Sequence, residues 1–246
     1  TRAIVSSFTA EFNEYVESDC IIVGGGPAGL VAARDIARAG KKVVLLERNN
    51  YLGGGAWSGG FLMPKITVRH PGEKLLDELS VPYKVVQDGL VVCDAPHMCS
   101  ALIAAACFAG ARIFNNVMLE DLVLKDNRVC GAVINWAPIA SLPRQVAALD
   151  PVVLEAPFVI DATGHEASVA KKLEQRALLK LKGEGPLWIN KSEDEVVSHT
   201  GECYPGLIVT GMAVGAVAGV PRMGPTFGAM FLSGEAAARI VLDSLK

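Results

Sequence analysis

The sequence predicts an α/β fold: a doubly wound, Rossmann-like domain of the FAD/NAD-binding type, carrying a small β-rich insertion. Three observations lead there. An apolar strand runs into Gly24-Gly25-Gly26-Pro27-Ala28-Gly29, a helical segment follows, and Glu47 ends the next apolar strand. The middle of the chain alternates short strand patterns. A late strand and a long helix then restore the α/β rhythm. With 246 residues, 51% of them hydrophobic, residues 1–246 suit one dinucleotide-binding domain with its own core.

The elements follow in order. Residues 3–17 set Ile4, Val5, Phe8, Phe12, Tyr15 and Val16 at helical spacing, predicting an amphipathic arm over about 1–17 that packs on the body or on a neighbouring subunit. Cys20 to Val23 is the first strand. A helix runs from about Ala28 to Ala39, closed by Gly40, and Val43 to Leu46 is the second strand. The glycine-rich run Gly53-Gly54-Gly55-Ala56-Trp57 predicts backbone in close approach to something. A short helix covers Gly72 to Leu79, a small hairpin lies near 83–86 and 90–93, and a long helix spans about 95–109. Strands recur near 112–114, 118–124 and 129–136, followed by an irregular loop over 137–151. Phe158-Val159-Ile160 lead into Asp161-Ala162-Thr163-Gly164-His165 and a helix over about 167–177. Residues 183–203 mix Gly, Pro and charge and predict a mobile loop; Leu207 to Val209 is a last strand, and 226–245 the final helix.

Composition excludes several classes. A net charge of −3 gives no electrostatic case for nucleic acid or an anionic membrane surface. The apolar stretch Leu207 to Val220 is shorter than a membrane helix requires. None of the six cysteines has CxxC spacing, so neither a zinc ribbon nor a redox dithiol is indicated, and the expectation is a reducing, cytoplasmic compartment.

The glycine motif carries the first functional expectation. Gly24 permits the tight turn, Gly26 lets backbone reach a pyrophosphate, and Gly29 lets helix and strand pack closely. The helix N-terminus offers N–H groups to phosphates. Glu47 can accept from ribose hydroxyls, which favours NAD or FAD over NADP. The late segment Thr210-Gly211-Met212 lacks the Asp that usually follows Gly in FAD enzymes of this layout, so chemistry other than hydride transfer comes into view.

Two further features bear on chemistry. Asp150 and His165 flank a strand, and a carboxylate with an imidazole suits Fe(II), Mn(II) or Zn(II), although a lone histidine after Thr-Gly is more often a capping or core residue. Arg222, in Pro221-Arg222-Met223-Gly224-Pro225, sits between rigid neighbours and can bind a small carboxylate through two N–H groups; the plainer reading is a surface arginine. His70, His97 and His199 have no recognisable partner.

Together, Gly24 to Gly29, Glu47-Arg48, Gly53 to Trp57, Leu119-Glu120-Asp121-Leu122, Asn135-Trp136, Asp150-Pro151, Thr163-Gly164-His165 and Arg222 to Pro225 resemble the adenosine diphosphate thiazole synthases of thiamine biosynthesis. The resemblance runs from the arm to the last helix. It implies that NAD is consumed as a substrate: nicotinamide leaves, the ADP-ribose isomerises and condenses with glycine, and sulfur addition with ring closure gives an ADP-linked thiazole carboxylate. It implies that Gly24, Gly26, Ala28, Gly29, Glu47, Arg48, Gly55, Leu119, Ala148, Leu149 and Met212 line the dinucleotide, that Arg222 binds glycine, and that Asp150 and His165, as catalytic residues, hold Fe(II) from two different subunits. A shared site implies a homo-oligomer, commonly an octamer. The chain departs from the family at Ala148, where eukaryotic relatives carry a sulfur-donating cysteine and archaeal ones a histidine. Alanine has neither a sulfur to donate nor a metal-binding atom, so the expectation is a multiple-turnover enzyme using free sulfide. The rival readings are a sugar-phosphate isomerase of the ribose 1,5-bisphosphate type, an FAD-dependent oxidoreductase, and an NAD-binding module without the sulfur step.

Overall fold

A computed structural model describes residues 1–143 and 149–246. Helix α1 (Arg2–Glu14) forms the arm. Strand β1 (Cys20–Val23), helix α2 (Pro27–Arg38) and strand β2 (Val43–Glu47) make the expected βαβ unit, with Pro27 in the first turn, where its missing N–H is harmless. Then come β3 (Lys65–Arg69), α3 (Glu73–Glu78), β4 (Tyr83–Gln87), β5 (Leu90–Asp94) and α4 (Ala95–Phe108). Strands β6 (Arg112–Asn115), β7 (Val117–Lys125), β8 (Arg128–Trp136), β9 (Val152–Glu155) and β10 (Phe158–Asp161) follow. The chain ends with α5 (Ser168–Glu174), α6 (Ile189–Ser198), β11 (Gly201–Tyr204), β12 (Leu207–Val209), α7 (Ala213–Ala218) and α8 (Gly228–Ser244).

The central sheet has the order β11-β12-β10-β1-β2-β6 and is parallel except at its β11 edge. Its strands are apolar on both faces, as a covered parallel sheet requires. Alternation along β1 assigns the faces. Cys20 and Ile22 point into a core built with Leu30 and Ile36 of α2, Leu102 of α4 and Phe231 of α8. Ile21 and Val23 point the other way, against Leu122, Val129, Ile134 and Leu154 of the antiparallel sheet β7-β8-β9 and Val169 and Leu173 of α5. The result is three layers: helices, parallel sheet, antiparallel sheet. A second small sheet, β3-β5-β4, packs Ile66, Val68 and Val91 on the helical side.

The expected α/β class and the βαβ boundaries match this structure. Three differences have physical causes. The β-rich insertion is two separate sheets, because β3 and β9 join the strands expected from the pattern. The segment 183–203, expected as a loop, contains α6 and β11. The inward face of α6 is Ser192, Glu193 and Val196, so it has no apolar stripe; Ser192 Oγ donates to Pro221 O at 2.6 Å and Glu193 accepts from Thr226 Oγ1 at 2.7 Å. The strand at Leu207–Val209 is as expected, but the apolar run beyond it continues as α7, which buries Ala213, Val214, Gly215 and Ala216. Along the arm, Phe8 and Phe12 pack on Phe114 and Trp136, while Ile4 and Val5 remain exposed. Among the described residues no helix is long and apolar enough to cross a membrane.

Candidate functional site

The chain leaves β1 through α2 to β2 on one side and later returns to β10 on the other. Ligands bind in the crevice outside the carboxyl ends of strands at such a switch point. The segments after β1, β2, β10 and β12 all end there, and they carry most of the residues singled out from the sequence.

The glycine loop is shaped by contact. Gly24 has φ +108°, and a Cβ on it would lie 2.3 Å from Ala162 O. A Cβ on Gly29 would lie 2.1 Å from Gly24 O, so α2 can start this close to β1 only with glycine there. Gly26 is different: nothing lies within 4 Å of where its Cβ would be, and the same holds for Gly55. The loop therefore has open space beside the N-terminus of α2, whose first N–H groups, those of Ala28 and Gly29 included, lack acceptors within the helix. The run Gly53-Gly54 closes on the motif itself: Gly53 N donates to Gly25 O at 2.8 Å, and a Cβ on Gly54 would lie 3.2 Å from Gly26 Cα.

Glu47 is buried at the end of β2. Its Oε2 accepts from Gly25 N at 2.9 Å and its Oε1 from Asn49 N at 2.8 Å. The carboxylate therefore braces the glycine loop, with one further acceptor direction on each oxygen. Arg48 makes a two-point ion pair with Glu166, Nη1 to Oε2 at 2.6 Å and Nη2 to Oε1 at 2.8 Å. This pair links the segments after β2 and β10, across the end of β1. The hydrogen bonds from Arg48 hold the Glu166 carboxyl below its ordinary range.

The turn after β10 is pinned from beneath. Asp161 is fully buried, and its Oδ1 accepts from Thr163 N at 3.0 Å and Thr163 Oγ1 at 2.6 Å. Its Oδ2 accepts from Val169 N at 3.0 Å and Ala170 N at 2.9 Å, capping α5. Burial pushes this carboxyl upward, with the four donors opposing. Above it, half-exposed His165 places Nδ1 2.5 Å from Glu184 Oε1. Glu184 Oε2 in turn accepts from Arg222 Nε at 2.9 Å.

Glu184 escaped the sequence reading. The only local hint is an acidic residue between two glycines ahead of Pro186. It is brought to Arg222 by two segments running side by side: Gly185 N donates to Val220 O at 3.1 Å, Arg222 N to Gly185 O at 3.3 Å and Trp188 N to Arg222 O at 3.1 Å. Met212 is buried in one apolar cluster with Ala28 of α2. A Cβ on Gly211 would lie 3.0 Å from Ala28 Cβ, and one on Gly215 would lie 3.2 Å from Met212 Cε and 3.4 Å from Glu184 Oε1.

Other expected residues are not gathered here by the single chain. Asp150 is exposed and has no hydrogen bond or ion pair among the described residues, and these include no group of three potential metal-ligating side chains. Leu149 is exposed, and Leu119 is half-buried opposite Ile134 on β7. Ala148 lies outside the described residues. His70 pairs with Glu73, and His199 Nδ1 lies 2.9 Å from Glu195 O, which accounts for both locally.

With Nδ1 facing a carboxylate, His165 retains Nε2 for a metal ion, and Arg222 retains both terminal nitrogens for an anion. The open space at Gly26 and Gly55 beside the start of α2 fits a pyrophosphate. Comparison with known proteins identifies the family. The model of the Thi4 family matches residues 1–227. The thiamine thiazole synthase of Aeropyrum pernix is 49% identical over 245 residues, covering 100% of this chain and 91% of the relative. That of Pyrococcus horikoshii is 45% identical, covering 100% and 97%. The crystal structure of Thermovibrio ammonificans THI4 superposes with a TM-score of 0.95 at 40% identity, covering 99% of this chain and 96% of that one. The chain therefore belongs to the Thi4 family and is an enzyme of thiamine biosynthesis.

Proposed function

We propose that this enzyme makes an ADP-linked thiazole carboxylate from NAD, glycine and sulfide, with release of nicotinamide. The observation that carries the reading is the chain His165–Glu184–Arg222 beside the dinucleotide crevice: a candidate metal ligand and a candidate carboxylate receptor stand one side chain apart. Gly24, Gly26, Ala28 and Gly29 would hold the pyrophosphate of NAD against the start of α2. Glu47 would accept from ribose hydroxyls with its remaining lone pairs, while Arg48, Gly55, Leu119, Leu149 and Met212 would complete the wall. The free edge of Arg222 would grip the glycine carboxylate through two parallel hydrogen bonds.

Fe(II) is the metal this reading assigns, and when bound it supplies a Lewis-acidic centre with affinity for a soft anion such as sulfide. His165 would hold it through Nε2. Asp150, exposed and without a partner among the described residues of its own chain, would reach the metal of a neighbouring subunit, in a homo-oligomer that we take to be an octamer. Ala148 offers no sulfur, so the sulfur must come from outside the residue at that position.

The test is anaerobic incubation with NAD, glycine, Fe(II) and sulfide, followed by mass analysis of both product and protein. We expect an ADP-thiazole product in excess over enzyme, and a protein mass that does not change. No thiazole product, or product accompanied by loss of one sulfur atom from the protein, would overturn the proposal.

A further inference from the structure

We propose that Glu184 is a positioning residue that sets the metal-binding imidazole and the glycine-binding guanidinium at once. The inference rests on the functional reading above and gives Glu184, which stands between the two groups of that reading, a role of its own.

The asymmetry of burial is the first observation. Glu184 is 8% exposed in its side chain, whereas His165 is 58% and Arg222 65% exposed. A carboxylate as exposed as these two groups would hold them only weakly, because fixing free side chains costs entropy. Here the anchor between them is fixed. Gly183 N donates to Ala216 O at 2.9 Å and Gly185 N to Val220 O at 3.1 Å, so the backbone is held on both sides of Glu184. Its side chain lies against Gly215, where a Cβ would approach Glu184 Cγ and Oε1 to 3.4 Å.

The second observation is the division of its two oxygens. Oε1 faces His165 Nδ1 and Oε2 faces Arg222 Nε. An ionised carboxylate only accepts, so the imidazole proton sits on Nδ1 and the lone pair of Nε2 points outward. That is the tautomer a metal requires, and such outer carboxylates orient metal-bound histidines. On the other side, engagement of Nε fixes the guanidinium plane and leaves the two terminal nitrogens for a second carboxylate. One buried anion thus fixes the orientation of two groups that must act on neighbouring parts of the same reacting assembly.

The test compares wild type, Glu184→Ala and Glu184→Gln as full-length enzymes. Metal affinity is read from Co(II) visible absorption, glycine use from the split between KM and kcat, and NAD affinity from direct titration. We expect Glu184→Ala to weaken Co(II) binding about 10- to 100-fold. Its glycine KM should rise several-fold while NAD affinity and melting temperature stay near wild type. Glu184→Gln has one carbonyl oxygen and can serve one neighbour only, so it should spare one of the two readouts. A merely structural role would lower stability and NAD affinity together and would not produce that split. If wild type binds Co(II) and uses glycine and Glu184→Ala matches it in both, this inference alone fails. If wild type does neither, the functional reading fails and takes this inference with it.

Discussion

Asp161 lies under the site and gives the clearest stability prediction. Its two oxygens accept four hydrogen bonds, from Thr163 N, Thr163 Oγ1, Val169 N and Ala170 N, in a fully buried setting. In Asp161→Asn the amide oxygen is best kept facing Val169 and Ala170. The amide NH2 then meets Thr163, whose hydroxyl can turn to accept but whose N–H loses its acceptor. One stranded buried donor costs about 1–3 kcal/mol, so we expect a loss of about 2 kcal/mol. Asp161→Ala strands three backbone N–H groups, and partial relaxation brings the expected loss to about 4 kcal/mol. For a chain of this size the corresponding falls in Tm are about 6 °C and about 12 °C. Calorimetry at a fixed scan rate, with all three proteins at one concentration, measures them. Because Asp161 pins the turn that carries His165, both variants should also bind Co(II) more weakly. A melting temperature for Asp161→Ala within about 1 °C of wild type would show that the four bonds do not hold the turn.

Three further outcomes are expected. Gly29→Ala drives a methyl group to 2.1 Å from Gly24 O, so despite the better helix propensity of alanine it should cost about 2 kcal/mol and weaken NAD binding, read by urea denaturation and titration. The folded pKa of Glu166 lies below its unfolded value through Arg48, so the pair adds stability above the unfolded pKa and loses it as acid takes the pH down through the folded one. The melting difference between wild type and Arg48→Ala, worth under about 1 kcal/mol for so exposed a pair, should therefore vanish toward acid pH; a constant difference would contradict the assignment. Phe12→Ala removes a ring that stacks with Phe8 at 5.6 Å and meets Phe114 at 5.4 Å, so hydrogen exchange in α1 should rise sharply while β1 stays protected.

What could be read from the sequence follows from how far apart the partners are and whether a template relates them. Glu47 and Gly25 are 22 positions apart, yet the pairing of their elements was legible, since the βαβ unit prescribes where the end of the second strand meets the glycine loop. Even so, Glu47 braces the loop through Gly25 N and Asn49 N, and periodicity holds no trace of that. Glu184 lies 19 positions from His165 and 38 from Arg222, with no template connecting them. Its approach depends on the pairing of residues 185 and 221, which follows from packing around α6. The same packing hid α6, because Ser192 and Glu193 bury polar atoms against specific acceptors and donors where a sequence pattern looks for apolar side chains. Asp150 is the opposite case: residue type singled it out, but among the described residues it has no hydrogen bond or ion pair. The geometry of this site was therefore legible where a local motif dictates it, at Gly24 to Gly29 and Glu47. It was not legible where a buried polar group is defined only by its long-range partners, and Glu184, which links the two halves of the proposed reaction centre, is such a group.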